Sequence, residues 1–268
     1  MKTIQKLADA VRLYFHYVSL NVRSAMQYKA SLLLMITGQL LVSFSTFFGI
    51  HFMFMRFSHV KGYTYEEVLL CFAIVLMQFS LAEMFARGFD TFSGTVRRGE
   101  FDRILVRPRS TVLQVLGSRF EITRIGRMAQ ACLMFAYVVS ASPVAWTPLR
   151  VTTLAMMLLG GAMLFGALFQ VYASLCFFTL DGLEFMNVLT DGGREYGKYP
   201  LDIYGKRVMQ FSIAVVPYAV VQYYPLQLLL GRSANPWLAF CPLGVLPFAA
   251  ICQLCWRYGV SRYKSAGS

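Results

Sequence analysis

One stretch of the chain has the residue spacing of a nucleotide-binding loop. Gly192, Gly197 and Lys198 fit the pattern G-x-x-x-x-G-K, in which backbone amides and a lysine hold phosphate groups. The next residue is Tyr199, where this chemistry needs a Ser or Thr hydroxyl for magnesium, and Pro200 disfavours the helix that should follow. No β-strand pattern precedes the stretch. We therefore expect no nucleotide and no other cofactor to bind this chain.

The cysteines and histidines are also poorly placed for metal or redox chemistry. Cys252 and Cys255 form one C-x-x-C pair, but there is no second pair and the three histidines lie far from it in sequence. The six cysteines fall in apolar stretches, where thiols act as small hydrophobic side chains. Glu83 is the ionisable residue inside an apolar stretch, and Arg87 one turn later predicts a helical ion pair with it. The sequence thus predicts no catalytic and no metal-binding residues.

The stretches that carry these residues are more apolar than those of a soluble protein. Hydrophobic residues make up 57% of the chain and charged residues 14%, against roughly 25% charged residues in soluble domains. A helix needs about 20 apolar residues to cross the hydrocarbon core of a bilayer. The long uncharged stretches therefore predict an all-α integral membrane protein with six transmembrane helices. The predicted spans are about 32–55, 67–86, 122–142, 151–178, 208–228 and 236–256.

The distribution of basic residues predicts the orientation of these spans. The net charge of +12 could suggest nucleic-acid binding, but the basic residues concentrate near the N-terminus, between spans two and three, and in the C-terminal tail. By the positive-inside rule both termini are cytoplasmic, as are the polar stretches 87–127 and 181–207. We expect a multi-pass protein of the cytoplasmic membrane that contacts lipid and not nucleic acid.

The first 29 residues predict a helix that lies in the membrane interface. Apolar residues recur at helical spacing, and basic residues occupy the rest of the wheel. A solvated tail is the alternative. A cleaved signal peptide is excluded because lysines and arginines interrupt every apolar run.

The first predicted cytoplasmic loop contains a short amphipathic helix within residues 96–110. Gly99 permits a sharp turn before it, and Pro108 ends or redirects it. Phe101 and Leu105 share an apolar face with Ile104, and charged residues form its rim. Such a helix suits docking into a groove on another protein. A helix that lies on the lipid surface is the alternative.

Two prolines interrupt the fifth predicted span. Pro217 breaks it, and Pro225 follows directly after Tyr223 and Tyr224. Irregular backbone at membrane depth is tolerated only where it is buried in protein or lines a cavity. Either the helix is kinked, or the chain dips back as a re-entrant pair, with Tyr218, Tyr223 and Tyr224 marking the outer interface.

Polar side chains within the spans could line a transport pathway or bond between helices. The candidates for pathway lining are Gln39, Ser43, Gln78, Gln170 and Gln222. Ala162 and Gly166 form a small-xxx-small pair that lets another helix approach closely, either within the chain or in a second copy.

The order of these features resembles the ABC-2 type permeases, in particular a six-span branch of about this length. The resemblance covers essentially the whole chain. It is carried by the segments Val96–Pro108, Tyr199–Tyr204, Val216–Pro217, Tyr223–Pro225, Tyr258–Gly259 and Tyr263–Ser268.

The resemblance implies an export permease that works as a dimer, with a related or identical second permease, over two copies of an ATP-binding subunit. That subunit would bind ATP and magnesium. The N-terminal helix would be the family's elbow helix, and the segment after Pro217 its outer re-entrant helices. The loop helix would be the coupling helix that contacts the ATPase. Its residues would be Arg98, Gly99, Glu100, Phe101, Asp102, Arg103, Leu105 and Pro108.

Two other function classes need features that we do not find in the sequence. An ATP-independent channel or secondary transporter would need intramembrane ion-binding groups or an inverted repeat. An intramembrane enzyme or assembly factor would need a pair of catalytic acids or histidines within the spans. The sequence does not select a substrate.

Overall fold

The computed structural model describes residues 2–141, 145–179 and 183–264, and their regular elements are all helical. Three predicted features lie partly or wholly outside these residues: the end of span 122–142, the start of the polar stretch 181–207, and the terminal segment Ser265–Ser268.

The α-helices follow one another along the described parts of the chain with short 3₁₀ segments between some of them. Their bounds are α1 Lys2–Ala25, α2 Lys29–Arg56, α3 Tyr65–Asp90, α4 Phe92–Arg97, α5 Phe101–Leu105, α6 Thr111–Ser118, α7 Ile125–Ala141, α8 Pro148–Leu175, α9 Met186–Leu189, α10 Asp191–Gly197, α11 Lys206–Ala214, α12 Tyr218–Val221, α13 Tyr223–Leu229 and α14 Val245–Arg262.

Four helical stretches in the described residues are long and apolar enough to cross a membrane. They are residues 8–56, 65–97, 148–175 and 236–262. The predicted third span, 122–142, corresponds to the 3₁₀ turn Ile122–Arg124 and to α7, which reaches Ala141, the last residue described before the gap. The chain is therefore an all-α membrane protein, and its crossing number stays a prediction.

Helix α3 forms the centre of the bundle. A capping box between Thr64 and Glu67 starts it, because each residue's side chain satisfies a backbone amide of the other. Its residues are buried along most of its length, mainly against α8 and α7. Phe79, near its middle, packs edge-on against Phe165 of α8 at 5.0 Å between ring centroids.

Aromatic side chains close one end of the bundle. Trp256 of α14 lies at its centre, with ring centroids of Phe89, Phe92 and Phe177 each at 5.2 Å. The Trp256 indole N–H donates to the Thr111 hydroxyl at the start of α6 (3.2 Å). This cluster fixes α4 and α6 to the ends of α3, α8 and α14.

A polar network closes the opposite end. The Arg232 guanidinium donates to the Glu67 carboxylate (2.6 Å) and lies over the Tyr63 ring at 3.9 Å. The Tyr63 hydroxyl accepts a hydrogen bond from Gln227 (3.0 Å) and donates one to the Asp202 carboxylate (3.1 Å). This network joins the loop before α3, the end of α13 and the turn before α11.

The polar stretch after α8 runs along the bundle, which contradicts its prediction as a cytoplasmic loop over 181–207. The Arg194 guanidinium lies over the Phe79 ring at 4.9 Å, near the middle of α3. Eight residues later, Asp202 reaches Tyr63 in the loop before α3. That loop is predicted on the outer side, so this stretch connects the two ends of the bundle. Its charged side chains form ion pairs with one another, and Arg194 and Lys198 also lie over aromatic rings of α3.

The helix predicted over about 208–228 is not continuous. α11 ends at Ala214, Pro217 interrupts the backbone, and α12 and α13 follow as two short helices. Proline has no amide hydrogen to donate and its ring clashes with the preceding turn, which favours a break in the helix at this point. The predicted irregularity of this segment is therefore confirmed, and the chain forms separate short helices instead of one kinked helix.

Residues 206–231 instead form a hairpin that starts just after Asp202 and ends just before Arg232, both members of the polar network. At its tip, the Tyr218 hydroxyl donates to the last carbonyl of α9, and its ring lies 6.0 Å from that of Phe165. Phe165 is about 26 Å along α8 from its first residue, at 1.5 Å per residue. The second arm ends at Gly231, next to the Arg232 that binds Glu67. The hairpin tip therefore lies deep inside the bundle.

Replacing Gly88 by alanine should destabilise the bundle. A Cβ at Gly88 would overlap the Val115 backbone carbonyl, because α3 and α6 cross there with no side chain between them. We expect a loss of about 1–3 kcal/mol in the free energy of unfolding, measured by thermal unfolding in detergent. The matched control is Gly49→Ala in α2, where a Cβ meets nothing within 4 Å, so that alanine should be neutral or stabilising. Equal effects of the two changes would contradict this packing.

Candidate functional site

The loop between α3 and α6 is held in one conformation by its backbone. Gly99 ends α4 with φ at 64°. The Glu100 amide donates to the Thr95 carbonyl and the Gly99 amide to the Val96 carbonyl, both at 3.0 Å. These two bonds and the left-handed glycine are a Schellman motif, which closes a helix and reverses the chain. The predicted turn at Gly99 is confirmed.

Phe101 points into the bundle and not toward a partner. It is fully buried, with ring centroids 5.2 Å from Phe92, 5.1 Å from Phe177 and 5.0 Å from Tyr263. The sequence predicts it as part of an apolar face that docks outside the chain. That placement is wrong in this structure, because the aromatic cluster at the bundle end supplies a nearer apolar surface. Phe101 anchors the loop.

The exposed apolar surface of the loop lies at the end of α5. Leu105 is 41% exposed and Val106 is 82% exposed. The Gln114 side chain of α6 donates to the carbonyls of Ile104 and Arg109 (both 3.1 Å), which fixes this end of the loop. The side chains of Leu105 and Val106 thus project from a part of the loop that hydrogen bonds hold in place.

Several of the predicted rim residues are charged and lie in α5 or just before it in the chain. The Arg98 guanidinium donates to both Glu100 carboxylate oxygens (2.9 and 3.1 Å), and this hydrogen bonding lowers the pKa of Glu100. Asp102 is partly buried, whereas Arg103 and Pro108 are exposed. The predicted charged residues are therefore at least partly exposed, as Leu105 is, although Phe101, which was expected beside Leu105, is buried in the bundle.

Residue 99 offers a graded test of the loop's conformation. Asn tolerates the left-handed region better than Ala, so Gly99→Ala should weaken binding of a loop partner more than Gly99→Asn does. We expect an alanine cost of about 1 kcal/mol, or about fivefold in the dissociation constant. The measurement is partner affinity at constant detergent concentration. A Cβ at Gly99 meets nothing within 4 Å, so an equal loss in both variants would point to a partner contact at residue 99 and not to backbone strain.

A second polar site lies between α3 and α7. The Glu83 carboxylate, with a side chain 5% exposed, binds Arg127 of α7, Arg124 at 3.0 Å and Arg87 at 3.4 Å. The predicted pair with Arg87 is present but is one of three. Arg127 also donates to the Gln39 side chain of α2 (3.0 Å). We call Glu83, Arg87, Arg124 and Arg127 the arginine cluster.

Helix α10 adds further charge beside this cluster. Arg194 pairs with Asp191 (3.4 Å) and Glu195 (2.9 Å), and Glu195 also binds Lys198. The second glycine of the nucleotide-binding spacing has a packing explanation, because a Cβ at Gly197 would lie 3.3 Å from the Val75 side chain of α3. Gly193, which is outside that spacing, packs closer still, because a Cβ there would overlap the Tyr218 ring. The sequence reading missed α10 since its charges resemble those of a loop. The glycine spacing was the available signal of close packing.

The structure places the other predicted pathway residues mainly in helix contacts. Gln78 donates to a carbonyl of α8 (2.9 Å), Gln222 to the last carbonyl of α10 (2.5 Å), and Gln170 to a side-chain amide of α14 (2.7 Å). Ser43 is buried. Gln39 is the partly exposed member and is the one that contacts the arginine cluster.

The predicted re-entrant residues are also distributed between two environments. Pro217 and Tyr218 are buried at the hairpin tip, so the expectation of Tyr218 at the outer interface is wrong. Tyr223 and Tyr224 are partly exposed with ring centroids 5.5 Å apart, and Pro225 is buried in the second arm. Tyr218 lies inside the bundle because its hydroxyl donates a hydrogen bond to the Leu189 carbonyl there.

Comparison with known proteins gives one family match. A family model described as "ABC-2 family transporter protein" matches residues 40–267. The match includes the loop between α3 and α6, the arginine cluster and the hairpin 206–231, and it begins within α2. No curated protein and no solved structure was found to match the chain.

Proposed function

Because the chain belongs to the ABC-2 transporter family, we propose that it is the permease subunit of an ATP-binding cassette exporter. The family predicted from the sequence is thereby confirmed, and with it a multi-pass membrane protein that is a transport component. In our proposal a separate subunit hydrolyses the ATP, with magnesium, and this chain moves the substrate outward across the cytoplasmic membrane.

The observation that carries this proposal is the exposed apolar tip of a rigidly held loop. Leu105 and Val106 are exposed to solvent although they are apolar, and a groove on an ATP-binding subunit would cover them. Rigid support matters because a loop that transmits movement must not deform. The buried Phe101, the Schellman motif and the Gln114 bonds supply that support. We therefore assign coupling to this tip.

We propose six crossings, with the fifth made by residues 183–204. The contacts of Arg194 with Phe79 and of Asp202 with Tyr63 support this path. The hairpin 206–231 is then the re-entrant pair on the outer side, and α14 makes the sixth crossing. An even number of crossings leaves both termini on the basic, cytoplasmic side.

We further propose that α10 borders the transport pathway. Charged residues and a broken helix at membrane depth are expected to face a cavity or protein. Glu195 and Asp191 have side chains 52% and 54% exposed in the single chain. A second permease, identical or related, would shield them from lipid and complete a polar passage.

The test is ATP hydrolysis by the purified chain with and without the ATP-binding subunit that co-purifies with it. We expect none from the chain alone and magnesium-dependent activity from the complex. Intrinsic activity in the lone chain would overturn the proposal.

The charged α10 favours one other function, an ATP-independent channel or secondary transporter. The same preparation distinguishes the two functions when the chain alone is placed in liposomes that enclose a pH-sensitive dye. Proton flux driven by an ion gradient would favour the alternative function.

A further inference from the structure

An open apolar cavity of about 680 Å³ lies between α1, α3, α6 and α8. It exists because the facing helices carry small residues where they would otherwise meet. A Cβ at Gly166 would have a single neighbour, the Ala86 Cβ at 3.6 Å, so space remains beside it. The small residues of the lining include Ala82, Ala86, Ala162, Gly166 and Ala249.

The polar groups of this lining already have partners. The Tyr14 hydroxyl donates to the Phe85 carbonyl (2.8 Å), and the Gln170 amide donates to the Gln253 side chain (2.7 Å). Water would gain few hydrogen bonds in such a cavity, whereas a hydrocarbon chain is as apolar as the wall. The lining therefore fits a ligand with an apolar part and no polar group at that depth.

Basic residues lie directly across α1 from the cavity. Arg12 and Arg109 border a separate cleft that is also lined by Asp9, Leu13 and His16. Arg109 comes just before α6, whose first turn lines the apolar cavity. An interfacial helix with an apolar face toward the lipid and a basic face toward the cytosol places headgroup phosphates at the level of its basic residues.

We propose that this cavity binds an acyl chain of an anionic phospholipid from the cytoplasmic leaflet, with its headgroup near Arg12 and Arg109. The two arginines outnumber the one carboxylate of the cleft, Asp9, so the charge favours an anionic headgroup. The small pair Ala162 and Gly166 then serves lipid binding and not helix association. This inference does not depend on the ATPase partner or on the transported substrate.

The test uses nanodiscs that contain trace phosphatidylglycerol with a diazirine on its acyl chain. We expect light-dependent labelling of peptides from α1, α6 or α8 that line the cavity, and loss of labelling with excess unlabelled phosphatidylglycerol. Phosphatidylcholine carrying the same diazirine should label less. Labelling that does not saturate, or that avoids the lining peptides, would overturn the proposal.

Matched variants separate the cavity from the rest of the membrane surface. Gly166→Leu should abolish the labelling, whereas Gly49→Leu on the open surface of α2 should leave it unchanged. Arg12→Gln with Arg109→Gln should remove the preference for phosphatidylglycerol and keep acyl labelling. Ala162→Ile is a second filling variant in case Gly166→Leu lowers the unfolding temperature. Full labelling of a folded filling variant, or crosslinks from the lining to a second copy of the chain, would refute the site.

Discussion

Phe101→Ala should destabilise the protein by about 3–5 kcal/mol, the range for removal of a buried aromatic ring. The ring is fully buried and contacts Phe92, Phe177 and Tyr263, so its loss leaves a cavity at the point where the loop meets the bundle. We expect a lower thermal midpoint in detergent even without any partner. Binding of the ATP-binding subunit should fall as well, because the loop loses its anchor.

Val106→Asp provides the contrast, because this residue is 82% exposed. It should leave the unfolding midpoint unchanged and abolish co-purification of the ATP-binding subunit, since a carboxylate would be placed in an apolar groove. A Phe101→Ala protein with a normal midpoint and no bound partner would support the original sequence interpretation. Normal partner binding by Val106→Asp would refute the assignment of the docking tip.

The bounds of this loop are predictable from sequence, but the orientation of its helix is not. Gly99 and Pro108 mark its ends through backbone chemistry that is local to the residue. Helical periodicity places Phe101 and Leu105 on an apolar face. It does not tell whether that face meets the chain's own bundle or another protein, because that depends on Trp256, far away in sequence. The fold class therefore follows from local sequence patterns, whereas the orientation of the site depends on contacts between residues that are far apart in sequence.

The stretch from residue 183 to residue 204 shows that hydropathy patterns, too, miss features that depend on contacts between side chains. A membrane crossing is recognised by the absence of charge, and this stretch contains Asp191, Arg194, Glu195 and Lys198. In the structure each of these side chains has an oppositely charged partner within the stretch. Pairing of this kind lowers the cost of charge at depth. A window average cannot detect it, so hydropathy does not predict a crossing in the stretch to which we assign the fifth one.

Glu83→Gln should destabilise the bundle by about 3–5 kcal/mol, the range for removing one partner of a buried ion pair. Glu83 is the carboxylate shared by Arg87, Arg124 and Arg127. Glutamine keeps the shape and some hydrogen bonding but leaves these cations with less opposite charge in a poorly solvated site. The measurement is the unfolding midpoint in detergent, followed at several salt concentrations. A small effect that salt removes would show that water reaches the cluster.

Two further variants test whether the loss of stability in Glu83→Gln comes from the positive charge that this change leaves uncompensated. Glu100→Gln removes a carboxylate from an ion pair in which the Arg98 side chain is 63% and the Glu100 side chain 37% exposed, so it should shift the unfolding midpoint little. The double change Glu83→Gln with Arg127→Gln should recover part of the loss, because one buried cation is removed with its partner. Purely additive effects would mean that the two residues act independently. Partial recovery would show that the charges of the arginine cluster hold α3 and α7 together. The cluster lies next to α10, the charged helix that we place along the transport pathway.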